Sequence, residues 1–185
     1  NTDLVGEFLR GPMTAPTSVP TNTGDGLLMA MRAGARLGNM GQAWWVPAVK
    51  IPGDVVFGEQ RSNLVNRERT LPGSIMVNRA GRRFTNEATN YNAIGPVLHN
   101  FDANTHDYPN LPFWIIVDQT YVEKYRFFNP TSKGTVPDWA VSADTIEELG
   151  EEVGIDAAQL AKTIATFNAD VAAGHDSEFG RGENT

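Results

Sequence analysis

Cysteine is absent from the chain. That excludes disulfides, thiolate metal sites and a cysteine nucleophile, and it agrees with a cytoplasmic location, which is the expectation here. No run of about 18 apolar residues occurs, so no segment reads as a transmembrane helix. Asn1 to Arg10 lacks the basic stretch and following apolar run of a signal peptide. Histidine is scarce. His99, His106 and His175 stand in polar stretches without metal-ligand spacing, which predicts exposed loop residues and no metal site. There is no GxGxxG, no P-loop and no Ser/His/Asp order. Basic residues are outnumbered by acidic ones, 15 to 22, for a formal charge of −7. Nucleic-acid binders usually carry a basic face, so that class is disfavoured.

What is present is the composition of a folded protein. The hydrophobic fraction is 41% and the charged fraction 20% over 185 residues, enough for one sizeable core and an appendage. The chain starts without Met and ends on Glu183-Asn184-Thr185 without an obvious terminal element, so the expectation is a piece of a longer protein.

Asn1 to Leu9 predicts a short helix, and Gly11 to Pro20 an extended loop. After the turn Thr21–Gly26, Leu27, Ala30, Met31, Gly34 and Leu37 share one helical face, so a helix is predicted over 27–37, stopped by Gly38 and Asn39. Residues 42–49 read as a strand or buried turn, broken by Pro52-Gly53-Asp54. Residues 74–78 read as a strand, Arg79 to Arg82 as a hairpin turn with Gly81 at positive φ, and 83–86 as the return strand. Residues 86–112 read as irregular, and 113–117 as an apolar strand. Two helices end the chain, with capping-box spacings at Asp144/Glu147 and Asp156/Gln159. Leu160, Ile164, Phe167 and Val171 predict a buried stripe on the second, which Gly174 ends. The order of elements predicts an α+β fold.

Certain blocks go beyond generic pattern. Asn22-Thr23-Gly24-Asp25-Gly26 leads into Met29-Ala30-Met31-Arg32-Ala33-Gly34-Ala35. Further on stand Gly73-Ser74-Ile75-Met76-Val77-Asn78 and Gly81-Arg82-Arg83-Phe84-Thr85-Asn86-Glu87, and near the end Phe179-Gly180-Arg181-Gly182. Together they resemble the flavoprotein superfamily of succinate dehydrogenase and fumarate reductase, and within it the 3-ketosteroid dehydrogenases. The resemblance implies a two-domain FAD oxidoreductase. Residues 1–41 would be an incomplete strip of the FAD-binding domain. Residues 42–180 would be the cap, or substrate, domain, with a β-hairpin or small sheet and C-terminal helices. Residues 181–185 would be the linker returning to the FAD domain. The phosphate-binding glycines would lie upstream of Asn1, so little or no FAD is expected to bind this stretch alone. Its partners would be the rest of its own FAD domain and a small hydrophobic substrate.

The resemblance also suggests roles. Asp25, between Gly24 and Gly26, would contact FAD; an N-cap role for Asp25 fits equally. Tyr91 stands where fumarate reductases carry a proton-donating Arg, and where 3-ketosteroid dehydrogenases carry a Tyr base. A phenol suits a neutral ring and a guanidinium a dicarboxylate. A phenol needs a nearby cation or donor to act as a base at neutral pH. The alternative for Tyr91 is an ordinary half-buried loop residue. Asn66, Arg67 and Thr70 stand where the dicarboxylate enzymes carry a Thr-Glu pair and an Arg, and Arg67 is taken as substrate-binding. Trp45-Val46-Pro47 replaces a His-Pro-Thr block, making Trp45 a candidate apolar lining of a substrate site. The plainer alternative places Trp44, Trp45, Phe113 and Trp114 in the core. Asn86 and Glu87 read as structural, holding the loop that carries Tyr91. Arg79, Arg82 and Arg83 read as a solvated turn.

The leading functional expectation is an FAD-dependent dehydrogenase of a 3-ketosteroid-like or other bulky hydrophobic ketone, with proton abstraction and hydride transfer to flavin N5. A fumarate-reductase-type enzyme of unassigned substrate and a non-catalytic interaction module are the alternatives.

Overall fold

The structure, a computed structural model, describes residues 2–128 and 131–183. It mixes helix and strand, as the order of elements predicts, and it divides after Leu64 into two compact units.

The first unit holds α1 (Thr2–Phe8), α2 (Asp25–Arg32), β1 (Ala48–Val56) and β2 (Glu59–Leu64). The short N-terminal helix is present; residue 1 of its predicted span lies outside the described residues. The second helix is shorter than its apolar spacing suggested. Gly34 takes φ 81, and the amides of Ala33 and Gly34 fold back onto the carbonyls of Met29 and Met31. Left-handed glycine therefore ends α2 well before Gly38 and Asn39. Pro52-Gly53-Asp54 does not break β1. It sits where the register with β2 shifts, between Lys50 and Val55. Proline lacks an N–H to donate, so a bulge is where a strand tolerates it. Gln60 fills that bulge, donating to the carbonyls of Ile51 at 2.8 Å and Asp54 at 3.1 Å. Trp44 departs from the expectation of a core residue: it is 79% exposed.

The second unit holds α3 (Arg67–Thr70), β3 (Ser74–Val77), α4 (Tyr91–Leu98), β4 (Trp114–Val117), α5 (Gln119–Lys124), α6 (Ile146–Val153) and α7 (Ala157–Ala173). The strand at 74–77 forms, and its partner is the apolar strand β4, antiparallel from Ser74↔Val117 to Val77↔Trp114. The predicted return strand at 83–86 is reduced to one bridge, Val77↔Arg83. The turn itself closes as expected, with the amide of Asn78 donating to the Arg82 carbonyl at 2.9 Å and Gly81 at φ 68. Gly81 also packs closely: a Cβ there would stand 2.8 Å from the Asp156 carbonyl oxygen and the Leu160 nitrogen.

Successive strand residues face opposite sides, and β3 is buried on both. Ile75 and Val77 join Ile155 and Leu160, with Ile146, Ile164 and Phe167 around them. Met76 joins Ile94 and Leu98 of α4, with Phe84, Leu111 and Phe113. Phe113 and Trp114 thus lie against the core, half-buried. Each such aliphatic side chain contributes about 1.5–3 kcal/mol on full burial. Helix α4 falls inside the stretch read as irregular. Gly95 and Pro96 hide its pattern, and its N-cap is Asn90, whose side chain accepts from the Asn92 amide at 2.9 Å.

The last two helices form as predicted, with details shifted. The capping box of α6 is Thr145/Glu148, one residue later than Asp144/Glu147. Asp156 caps α7, accepting from the Gln159 amide at 2.9 Å, but the Gln159 side chain reaches Thr163 instead of the cap. The buried stripe of α7 fades, with Val171 63% exposed. Among the described residues, no helix is long and apolar enough to cross a membrane.

Candidate active site

In the second unit residues 86–90 form a loop with a defined inner framework. The Asn86 side chain accepts from the Ala88 amide at 2.8 Å, and the Thr89 amide donates to the Asn86 carbonyl at 3.1 Å. Asn90 then caps α4, and Tyr91 is the first helical residue, half-buried. Two buried side chains tie this loop to its surroundings. Arg69 of α3 donates to the carbonyls of Glu87 and Thr89, the latter at 2.8 Å, and to Val65 O at 3.0 Å. Glu87 is fully buried and accepts from the Met76 amide at 3.2 Å, which ties the loop to β3. Glu87 therefore works through its carboxylate as well as its backbone.

That carboxylate is the centre of an ionic network that the sequence did not disclose. Arg83, read as part of a solvated turn, is buried instead. It donates to Glu87 at 2.8 and 2.9 Å and, as a fork, to both oxygens of Asp176 at 2.8 and 2.9 Å. Its guanidinium carbon lies 4.7 Å from the centre of the Phe167 ring and 5.1 Å from that of Phe179. Arg181 donates to the carbonyls of Leu71 at 2.9 Å and Ser74, and approaches Glu87 at 3.4 Å. Arg79 and Arg82 do remain exposed, and Arg79 pairs with Asp107 at 3.1 Å. Nothing at the turn distinguishes Arg83 from its neighbours in sequence; the signal available was Glu87 four residues on, with Arg181 in the distant Phe-Gly-Arg-Gly block.

Burial opposes charge on Arg83, but its hydrogen bonds to Asp176 and Glu87 outweigh that and hold its proton more tightly than usual. The bond from Arg83 keeps the Asp176 carboxyl well below the usual carboxylate range. Arg69 and Arg181 are pushed down, chiefly by burial. Because Asp176 is depressed in the folded state, its stabilising effect is complete above the ordinary carboxylate pKa of about 4 and is lost as pH falls below it. Melting curves between neutral and strongly acid pH should show stability falling on the acid side, with a shallower fall in Asp176→Asn; equal slopes would contradict this.

Arg67 is exposed and donates to the Arg126 carbonyl at 2.9 Å. Beside it in sequence, the buried Asn66 Oδ1 lacks a hydrogen-bond partner, as does the Tyr121 hydroxyl. Burial, followed by the charge of Glu68, pushes the Tyr121 phenol up to about 12. The histidines are not uniform: His106 and His175 are exposed, whereas His99 is half-buried at the C-cap of α4.

In the first unit, Gly24 and not Asp25 occupies the N-cap of α2, at φ 87, and no side chain caps the helix. Asp25 is the first helical residue, where a carboxylate favours the positive end of the helix dipole. Asp25 and Gly26 are exposed, and a Cβ on Gly26 would meet nothing within 4 Å. Uncapped amides, open space beside glycine and a carboxylate acceptor form a donor and acceptor set that fits the polar parts of a dinucleotide such as FAD. Trp45 is half-buried in the loop before β1.

The chain is similar to known proteins over most of its length. Residues 9–184 match the model of the FAD binding domain family. The chain is 38% identical over 97% of its length to 4-oxocyclohexanecarboxylate 2-dehydrogenase of Sinomonas cyclohexanicum, covering 31% of that protein. It is 35% identical over 96% of its length to 3-oxosteroid 1-dehydrogenase of Mycobacterium tuberculosis, covering 32% of it. All of the chain superposes on 33% of 3-ketosteroid delta1-dehydrogenase from Sterolibacterium denitrificans, crystallised with 1,4-androstadiene-3,17-dione, with a TM-score of 0.83 and 31% identity. The chain therefore spans about a third of the length of these relatives and belongs to the FAD binding domain family.

Proposed function

We propose that the protein carrying this chain is an FAD-dependent dehydrogenase that introduces a double bond next to the carbonyl of a 3-ketosteroid-like or other bulky cyclic ketone. The observation that carries this is the placement of Tyr91 at the start of a capped helix, on a loop held by buried Arg69 and Glu87. A phenol there takes the proton from the carbon beside the carbonyl. When bound, FAD supplies the acceptor for the hydride from the neighbouring carbon. Gly24, Asp25 and Gly26 hold the cofactor through the uncapped start of α2. Trp45 lines the apolar side of the substrate site, and Arg67 meets a polar group of the substrate. Residues 1–41 form the strip of the FAD domain, 42–180 the substrate cap and 181–185 the return linker, whose residues 184 and 185 lie outside the described residues. A complete FAD site needs the remainder of that domain.

Arg67 favours a second reading. An exposed guanidinium suits a carboxylate, and so a ring ketone that also carries one, such as 4-oxocyclohexanecarboxylate. The test is an anaerobic substrate panel on the intact, FAD-loaded protein, followed by loss of oxidised-flavin absorbance. Bleaching by a 3-ketosteroid supports the first reading, and bleaching by 4-oxocyclohexanecarboxylate alone supports the second. Bleaching by succinate with none by either ketone overturns both.

A further inference from the structure

We infer that Arg69 is a positioning residue for Tyr91, acting through the backbone of the loop 87–89; the inference rests on the reading of Tyr91 as the base. Arg69 is 3% exposed, so it does not itself reach a substrate. Its partners are carbonyl oxygens: Val65 O one turn back in its own segment, and Glu87 O and Thr89 O across the loop. Burying a guanidinium is costly, and here no carboxylate hydrogen-bonds it directly. An apolar side chain would fill the same space more cheaply. What an apolar residue cannot do is satisfy carbonyls from two segments at once, and a planar fork of donors does that better than a single ammonium.

The location of those carbonyls gives the link its purpose. Thr89 precedes the N-cap Asn90, and Asn90 precedes Tyr91. The Asn90 side chain shapes the loop from within, and the Asn86 side chain both does so and donates at 3.4 Å to the carbonyls of Phe179 and Gly180, but neither holds the loop at Thr89. Arg69 does. Helix α3 is only four residues long and is itself anchored, because the Arg69 carbonyl accepts from Ser74 Oγ at 3.1 Å and from Arg181 at 3.4 Å. The bolt therefore runs from β3 through α3 to the residue just ahead of the capped start of α4. Losing it frees the first turn of α4 to shift, and a displacement of about 1 Å costs catalysis about 100-fold.

The experiment compares Arg69→Lys and Arg69→Ala in the intact, FAD-loaded enzyme, with a ketone that the parent oxidises. The expected result is a kcat lowered about 100-fold in Arg69→Ala and about tenfold in Arg69→Lys, with KM within about twofold of the parent. Millimolar guanidinium should restore part of the Arg69→Ala turnover. Where Arg69→Ala does not fold, Arg69→Lys decides the matter, its folding checked by melting temperature and flavin absorbance. A folded Arg69→Lys enzyme with parental kcat, or with only KM raised, overturns the inference. So does failure of both variants to fold, which would make Arg69 a purely structural residue. Tyr91→Phe separates the two layers. If it keeps parental turnover, the base assignment falls; if it is inactive beside a fully active Arg69→Lys, only the positioning role falls.

Discussion

Tyr91→Phe in the intact, FAD-loaded enzyme should lower kcat for a cyclic ketone by about 1000-fold, within the usual range for loss of a general base. KM should change little, because the ring stays and only the hydroxyl leaves. Tyr91 is half-buried and begins a helix whose cap is the Asn90 side chain, so the start of that helix keeps its cap in the variant. Single-turnover flavin reduction should slow by the same factor as steady-state turnover. A phenylalanine variant that reduces its flavin at the parental rate would remove this residue from the chemistry.

Glu87→Ala should destabilise the second unit by about 3–5 kcal/mol, the cost of leaving a buried partner charge uncompensated. The Glu87 side chain is fully buried, and Arg83, Arg181 and the Met76 amide all donate to it. Removing it takes from Arg83 a buried carboxylate partner, leaves the Arg181 guanidinium on backbone carbonyls, and strands a β3 amide in the same step. For a chain of this size, the loss corresponds to a melting temperature about 10 °C lower. Glu87→Gln keeps the shape and one acceptor, so it should fall between parent and alanine. Thermal unfolding by circular dichroism measures both. A melting point for Glu87→Ala within about 2 °C of the parent would show that the network contributes little.

Elements with strong patterns were legible. The apolar runs at 74–77 and 114–117, the cap of α7 and the glycine turn at 81 all follow from residue type and spacing. Strand pairing was not, because the choice between residues 83–86 and β4 as the partner of β3 is a tertiary decision. The hairpin β1–β2 was hidden by a proline inside one strand and by the polar sequence of the other. Helix α4 was hidden by Gly95 and Pro96, and its signal was the asparagine cap. At the candidate site, family motifs marked Asp25 and Tyr91, but burial of Arg83 could not be read, since its partner Asp176 lies 93 residues away. Trp44 shows the converse: an aromatic side chain that points to a core in sequence and meets solvent in the fold.

The bond from Arg83 to Asp176 also bears on the order of assembly. On the ribosome, β3 and its turn emerge long before residue 176 does. Until then the guanidinium waits in water with Glu87 as its nearest carboxylate in sequence, and the segment around residue 91 lacks its final support. Synthesis through residue 176 therefore completes the support of the loop at residues 86–90, which has by then long left the ribosome.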